Sequence, residues 1–485
     1  MESDIYLQHI NYFPQSYLIV PFYVEQTEKN ERFWEKYIDN CAKEVGKKWT
    51  MSKLVAKDQT VFKDSSYFEY IQQFFRAFRG DPESNRLQDD YHVLELKDGS
   101  EFSRYVQDEE YIDTELVYRS EYNANEGEEF IFSIQCRPGS IDAIRLLYYP
   151  LAKTGILIVP IKPNEIAFDK YSEFLGNIRF TRTKGIKKKG SNGHSYSLNE
   201  IFDSLMSDFK GHYTRANEDC VQHLSFILIN SETVNDSFSG ILSDITRCRT
   251  HRDIRNNEAC KTLRLFHNLM VGASHEGTTV FYALKIAARG TEERKRQRKD
   301  YALEQRERIV LYFIIALQRY ILLRVVNELT KGIKTSNGLL TKVRKLISPQ
   351  SNSRLKKLRK ELGVVCETKV NNSFTSISDV PEANDYYRFC CNALEIEKLY
   401  EEIDCKVNML NSYLTQESNV SKERADWHLS IILATLTVMS AGNDGINLID
   451  RINSLGDYRW LYYAGVILAI IFVAYLFVTI IRTRR

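Results

Sequence analysis

Hydroxyl groups interrupt an apolar run near the end of the chain. The run begins at Trp427 and reads WHLSIILATLTVMSAGNDGINLID. Hydroxyl groups that face lipid lose their hydrogen bonds to water, so this run favours contact of one face with protein or with a water-filled pore. On a helical wheel, the polar side chains that fall near one face are Ser430, Thr437, Ser440 and Asp444.

Near its end this run contains Gly445-Ile446-Asn447, which offers the side-chain amide of Asn447 close to a glycine. Gly445 allows a tight turn because it has no Cβ atom. A neutral amide oxygen suits a hydrated Mg²⁺ ion, which gives up its waters reluctantly and can be held through them. The alternative is that Gly445 and Asn447 only end a helix, a role in which both residue types are common.

Two membrane spans must position these groups. Trp460–Ile481 holds no charge and no proline, and at about 1.5 Å per residue it can cross a bilayer core of about 30 Å. The loop between the two runs is polar, and its charged residues are Asp444, Asp450, Arg451, Asp457 and Arg459. The basic residues on the other sides of the runs are Lys422, Arg424, Arg482, Arg484 and Arg485. The positive-inside bias predicts a hairpin with both termini in the cytoplasm.

This C-terminal arrangement resembles the CorA-type divalent cation channels. The resemblance rests on a long helix that enters a short first span, on Ala441-Gly442 and Gly445-Ile446-Asn447, and on the second span with its basic tail. The family signature at this place is Gly-Met-Asn, and Gly-Ile-Asn also occurs in its zinc-transporting branch. The chain departs from the pattern at Leu436, where the family often has proline, and at Asp444, where an aromatic residue usually precedes the glycine.

The resemblance implies a homopentamer in the bacterial inner (plasma) membrane. The first spans would line a pore for Mg²⁺ or another divalent cation, with Asn447 at its outer mouth. Long family members of similar layout occur beside type III CRISPR systems, which implies an antiviral effector opened by a nucleotide second messenger, S-adenosylmethionine joined to AMP. Two alternatives are an ordinary transporter gated by cytoplasmic Mg²⁺ and a membrane-anchored binding protein that does not conduct.

Composition and motifs exclude several other classes. The net charge of the 485 residues is +2, so there is no basic field for direct binding of nucleic acid. The nine cysteines are scattered without a CxxC pair, which suits reduced thiols better than disulfides or a zinc site. The N-terminus lacks the pattern of a cleavable signal peptide. Known catalytic motifs are absent from the sequence, so we expect no enzyme.

The N-terminal part predicts a mixed α/β domain. Helical patterns over Asn30–Val45 and Tyr67–Phe78 alternate with apolar, β-branched or aromatic runs typical of strands. A central sheet flanked by helices is therefore expected. The predicted strands are Tyr17–Val24, Glu129–Gln135, Thr154–Val159 and His223–Ile229.

A lysine-rich loop is the most unusual local composition in this domain. Gly185 and Gly190 have the spacing of a phosphate-binding loop, but Ser191 stands where that motif needs lysine. One interpretation is an anion site for a phosphate-bearing ligand, and the other is a flexible basic hairpin or linker. The candidate ligand-binding residues are Lys184, Lys187, Lys188 and Lys189.

The chain beyond Cys260 reads as helical. Thr262–Leu284 shows apolar residues at helical spacing, and Glu292–Gly332 predicts one long helix. The apolar core of that helix contains Gln318, Arg319 and Arg324. Charged groups at mid-bilayer depth are costly, so we expect this helix to be buried among cytoplasmic helices rather than to span the membrane.

A single stalk helix is predicted from Tyr386 to about Ser440, because no proline follows Pro381. The stalk could feed a bundle-type channel or serve as a coiled-coil spacer. Its apolar seam consists of Ile396, Leu399, Ile403, Val407, Leu410 and Leu414. The expected order is an α/β domain at 1–260, a helical region and connector at 261–380, and a stalk with the first span at 381–441. An external loop at 442–459, a second span at 460–481 and a tail at 482–485 complete it.

Overall fold

The computed structural model describes much of the sheet domain and part of the stalk. The described ranges are 15–25, 27–43, 48–51, 92–97, 115–119, 129–134, 142–164, 186–188, 195–215, 224–231, 260–266, 269–283, 308–330 and 381–412, with positions 174, 242, 245–247, 305, 363 and 415. Both predicted spans and the predicted helix Tyr67–Phe78 lie outside these ranges. The chain divides into two compact units, Met1–Val407 and Asn408–Arg485.

The described elements alternate between strands and helices. In chain order they are β1 (Gln15–Tyr23), α1 (Glu28–Ala42), β2 (Trp49–Met51), β3 (His92–Leu96), β4 (Glu115–Arg119), β5 (Glu129–Ile134), β6 (Arg145–Tyr149), β7 (Thr154–Asn164), β8 (Lys187–Lys188), α2 (Leu198–Leu205), a 3₁₀ turn (Ser207–Phe209), β9 (Thr214–Arg215), β10 (Leu224–Ser231), β11 (Lys261–Phe266), β12 (Leu269–Ser274), β13 (Gly277–Ala283), α3 (Arg308–Thr330), α4 (Pro381–Ala393) and a further helix at 396–412. The four predicted strands coincide with β1, β5, β7 and β10, and the first predicted helix coincides with α1.

All of these strands join one sheet that branches at its centre. The main order is β11-β12-β13-β10-β1-β7-β5-β4-β8. β7 pairs with β1 along one edge, while its other edge pairs with β6 near its start and with β5 near its end. β3 continues the β6 branch, and β2 follows it. Only β10 and β13 pair in parallel among the described strands.

Both faces of the central strands are covered by helices. On one face the Phe22 ring stacks on Trp34 of α1, with ring centroids 5.8 Å apart. On the other face Tyr17 meets Phe313 of α3 edge-on at 5.4 Å. Because side chains alternate along a strand, β1 supplies both layers, and every side chain from Ser16 to Val24 is buried. The domain is therefore a helix–sheet–helix sandwich.

Gly155 permits the closest approach within this core. It lies opposite Phe22 in the β1–β7 register. A Cβ atom at Gly155 would come within 2.2 Å of the Phe22 ring. The absence of a side chain lets the ring lie flat over β7 and reach both Trp34 and Tyr148.

α3 is the one helix among the described residues that is long and apolar enough to cross a membrane. However, 83% of its most apolar window is buried inside the protein. Tyr312 packs against Phe226 of the sheet at 5.2 Å, and Gln318 bonds to Tyr387 of α4. Burial of this part of the helix is thus confirmed, but the prediction of helices alone as its neighbours is wrong, because it packs on the sheet as well as on α4.

The helix predicted at Thr262–Leu284 is wrong. The segment forms β11, β12 and β13, an antiparallel meander that extends the sheet past residue 260. Every residue of β12 is buried. A strand with both faces covered loses its polar–apolar alternation, so its apolar residues also match helical spacing by chance. The β-branched Thr278, Thr279 and Val280, which follow the turn at His275-Glu276, were the signal for strands.

The single stalk helix is also wrong in its first part. α4 begins at Pro381 and ends at Ala393, and a turn at Leu394–Glu395 separates it from the helix at 396–412. Glu395 has a positive φ of 56°, a left-handed conformation that is uncommon for residues other than glycine. The predicted seam is still partly buried, with Ile396, Ile403 and Leu410 inside and Leu399 and Val407 half-buried.

Candidate functional site

The structure describes two of the four lysines proposed for phosphate binding. Lys187 and Lys188 form β8, a short strand paired with β4. The preceding residue, Ile186, is fully buried and exchanges backbone hydrogen bonds with Tyr196. Lys187 and Lys188 therefore lie at one end of the described strand order of the sheet. Lys184 and Lys189 lie outside the described residues, as do the pore candidates from Ser430 to Asn447.

A cleft lies on a different part of the domain, beside α2 and β9. Its volume is about 790 Å³. Sequence reasoning missed this cleft, and Lys187 and Lys188 do not line it. The lining residues are Asn199, Asp203, Ser204, Ser207, Lys210, Gly211, Tyr213, Thr214 and Arg215.

The first wall of the cleft is α2, which starts with a capping box. The Ser197 hydroxyl accepts from the Glu200 amide at 3.2 Å, and the Glu200 carboxylate accepts from the Ser197 amide at 2.7 Å. This reciprocal pair satisfies amides at the helix start that have no partner within the helix. The apolar side of α2 packs into the core through Leu198, Ile201, Phe202 and Leu205. Its polar side is left to line the cleft.

The opposite wall is fixed by an ion pair that closes the turn between α2 and β9. Asp203 accepts from the Tyr213 hydroxyl at 2.7 Å and from Arg215 Nε at 3.1 Å. A second guanidinium nitrogen of Arg215 reaches the other carboxylate oxygen. Burial, followed by the bond to Asp203, raises the pKa of Tyr213 well above its usual range, so the phenol stays protonated. The Asp203 charge is therefore largely neutralised within the wall.

Two lysines add positive charge to this region. Lys48 donates to the Ser204 carbonyl at 3.0 Å and lies 3.4 Å from the Ser207 hydroxyl. Lys210 is exposed on the lining and has no ion-pair partner among the described residues. Arg215 is paired with Asp203, and the one other charged residue among the described lining is Lys210, whose charge is positive. An anionic ligand fits this electrostatic balance.

One acceptor in the lining lacks a partner. The Asn199 side-chain oxygen is buried and forms no hydrogen bond within the described part of the chain. A buried acceptor without a partner is costly, so a donor from a ligand would lower that cost. Hydroxyls of Ser204, Ser207 and Thr214 offer further donors and acceptors nearby. The cleft therefore suits a ligand that combines negative charge with hydrogen-bond donors.

Contacts with α1 hold His212, which lies between the lining residues Gly211 and Tyr213. His212 stacks on Phe33 with centroids 3.7 Å apart, and its Nδ1 lies 2.9 Å from the Asn30 side-chain oxygen. Trp34 Nε1 donates to the His212 carbonyl at 3.0 Å. Burial, aided by the charge of Lys29, lowers the pKa of His212. α1 thereby holds the segment that turns at Gly211, whose φ is +79°.

The lining offers several groups that can bind a ligand. Among the described residues, no group of three His, Cys, Asp or Glu side chains is placed to hold a metal ion. Asp203 is engaged by its two partners, and Ser204 and Ser207 have no adjacent general base in the lining. What the site offers is charge, hydroxyls and the phenol ring of Tyr213.

Comparison with known proteins gives no relative from which a role could be carried over. No family model matches the chain, and a search of curated proteins finds no match.

Proposed function

We propose that the chain is a CorA-like, ligand-gated channel for divalent cations in the bacterial inner membrane. The observation that carries the proposal is the C-terminal sequence pattern, in which two apolar runs flanked by basic residues enclose Gly445-Ile446-Asn447. Asn447 from five subunits would hold a hydrated Mg²⁺ or similar ion at the outer mouth of the pore. Ser430, Thr437, Ser440 and Asp444 would line the water-filled path.

The gating ligand in this proposal is a nucleotide second messenger that binds the sheet domain. The cleft beside α2 supports it, because its lining includes the positive charge of Lys210, an aromatic ring and hydroxyls. Within the nucleotide class we favour S-adenosylmethionine joined to AMP, and with it a role as the effector of a type III CRISPR system. Lys184, Lys187, Lys188 and Lys189 remain a second proposed contact for phosphate. No enzymatic step is proposed.

The pore is tested by a substitution at Asn447. The Asn447→Ala protein should assemble normally, because the stalk seam is untouched, and should lose selective Mg²⁺ flux in liposomes. Asn447→Asp should change ion preference, because a carboxylate replaces a neutral oxygen. Wild-type flux from the alanine variant would mean that Gly445-Ile446-Asn447 only ends a helix.

The ligand is tested by calorimetry on the detergent-solubilised full-length oligomer. The probes are the S-adenosylmethionine–AMP conjugate, cyclic oligoadenylates, ATP and Mg²⁺. The conjugate should bind most tightly, and Lys210→Glu should weaken it by about tenfold or more, since a repulsive charge then faces the anion. Lys36→Glu is the matched control, because Lys36 is exposed on α1 and does not line the cleft. Regulation by Mg²⁺ alone would instead leave an ordinary transporter, and absence of flux would leave a membrane-anchored binding protein.

A further inference from the structure

One buried amide joins the helices on the two sides of the stalk break. Gln318 lies within α3 and is only 2% exposed. Its side-chain oxygen accepts from the Tyr387 hydroxyl of α4 at 3.1 Å. Its side-chain nitrogen donates to the Tyr400 hydroxyl, in the helix at 396–412, at 2.9 Å. A single side chain therefore bonds to both helices.

A straight helix could not make both bonds. In a continuous α-helix, residues 387 and 400 would be separated by about 20 Å along the axis and by about 140° around it. Their hydroxyls could not then meet one glutamine. The two bonds to Gln318 therefore require the bend at Leu394–Glu395.

Local preference opposes the bend. The sequence from Ala383 to Ser412 contains no proline and no glycine, the two residue types that most disfavour a helix interior. The bend places Glu395 in a left-handed conformation that side chains avoid. Tertiary contacts offset the cost of this conformation, because Leu394 is fully buried and the Tyr387 and Tyr400 hydroxyls bond to Gln318. The segment 381–412 therefore has two competing conformations. One is bent and makes these tertiary contacts, and the other is a straight helix that lacks them.

Further contacts connect α3 to the sheet and to the helix that follows the bend. Arg319, next to Gln318, donates to the His275 carbonyl in the turn between β12 and β13. Lys406 donates to Thr330 at the end of α3 at 2.8 Å. A shift of α3 against the sheet would therefore act directly on the contacts that hold the bend.

We propose that Gln318 is an amide clasp that holds the stalk bent at Leu394–Glu395, and that release of the clasp converts 381–412 into one straight helix. The clasp is the two-state element on which a ligand bound to the sheet domain would act. A role of the clasp in gating rests on the proposed channel function. Its role as a conformational switch rests on the hydrogen bonds of Gln318 alone.

The test measures the distance across the bend in the full-length protein. Spin labels are placed at Asp385→Cys and Glu401→Cys, both exposed positions, in a background without other accessible cysteines and diluted with unlabelled subunits. A straight helix separates these Cα atoms by about 24 Å, and the bent form is shorter. Wild type should give the short distance.

Paired substitutions decide whether the clasp controls the bend. Tyr387→Phe with Tyr400→Phe keeps both rings but removes both bonds, so the long distance should become dominant. Gln318→Leu should do the same. Tyr386→Phe is the matched control, because that hydroxyl bonds to the Arg308 carbonyl of α3 at 3.3 Å and not to Gln318. It should keep the short distance.

The outcomes separate the clasp from the channel. A long distance in the clasp variants but not in Tyr386→Phe supports the proposal, and flux without ligand should then rise several-fold. An unchanged short distance in both Gln318→Leu and the double phenylalanine variant overturns it. A longer 385–401 distance in the clasp variants, together with a wild-type flux that no nucleotide changes, supports the clasp and contradicts the proposed ligand gating. Conversely, a nucleotide that changes the flux, together with a 385–401 distance that none of the substitutions changes, supports the gating and contradicts the clasp.

Discussion

The two faces of the sheet differ in the balance between stacked rings and buried polar groups. The face under α1 is built from stacked rings, with Trp34 placed 4.6 Å from both Phe209 and Tyr148. The face under α3 also holds buried polar groups, including the Glu95–Arg145 ion pair at 3.2 Å and the bonds of Gln318.

This contrast bears on which face can move. Stacked apolar rings tolerate small shifts, but their stability depends on total burial, so they favour one packed state. Buried hydrogen bonds are directional and are either made or lost, which allows discrete alternatives. We therefore expect the α1 face to set stability and the α3 face to set conformation.

Removal of the central ring on the α1 face should have the largest effect. Trp34 is 1% exposed and touches four aromatic neighbours. Trp34→Ala should lower the free energy of unfolding of the sheet domain by about 3–5 kcal/mol, because it leaves a large cavity. Denaturant unfolding of the solubilised full-length protein measures this.

The same variant sharpens the contrast between the faces. Under native conditions, Trp34→Ala should leave the 385–401 label distance unchanged, since its contacts are on the other side of the sheet. A stability loss below about 1 kcal/mol, or a switch to the long distance, would contradict the division of roles.

On the α3 face, a substitution at Glu395 should strengthen the bend. Glycine adopts the left-handed conformation without the steric cost that a side chain carries. Glu395→Gly, placed in the Tyr387→Phe/Tyr400→Phe background, should restore part of the short-distance population. Glu397→Gly is the control, because Glu397 lies inside the following helix, where glycine only weakens helicity by about 1 kcal/mol. Equal effects of the two glycines would argue against strain at residue 395.

Several strands of the sheet could be predicted from the sequence, and the residues of the other elements explain why those elements were not predicted. β1 and β7 are rich in β-branched and aromatic residues, so the residue types within each segment are enough to predict a strand. β12 and β13 are equally buried on both faces, and their periodicity is ambiguous for that reason. The turn at Glu395 is marked by neither proline nor glycine, and the contacts of Tyr387 and Tyr400 with Gln318 of α3 appear only in the folded chain.

The cleft could not be predicted because its wall is built from contacts across a turn. Asp203, Tyr213 and Arg215 match no known motif, and only the folded turn brings them together. The one local signal was Ser197 followed by Glu200, which is the pattern of a capped helix start. The pore residues and both spans remain sequence predictions.

The smallest expected effect is a pH dependence of the free energy of unfolding due to His212, which lies between the lining residues Gly211 and Tyr213. Burial lowers the pKa of His212 in the folded protein, so the unfolded chain binds a proton more readily. Stability should therefore rise with pH and should be partly lost as pH falls below the usual histidine value of about 6.5. Comparison of unfolding midpoints on either side of that pH tests this. His212→Asn should flatten this part of the profile, and an unchanged profile would exclude His212 as its source.

The central claim is that a nucleotide bound to the sheet domain opens a cation pore. The direct measurement is Mg²⁺ flux into liposomes that contain the full-length oligomer, with and without the S-adenosylmethionine–AMP conjugate. We expect conjugate-dependent flux from wild type and Lys36→Glu, a shift to about tenfold higher ligand concentration for Lys210→Glu, and no selective flux from Asn447→Ala. Flux that responds only to cytoplasmic Mg²⁺, with no effect of any nucleotide, would contradict the claim.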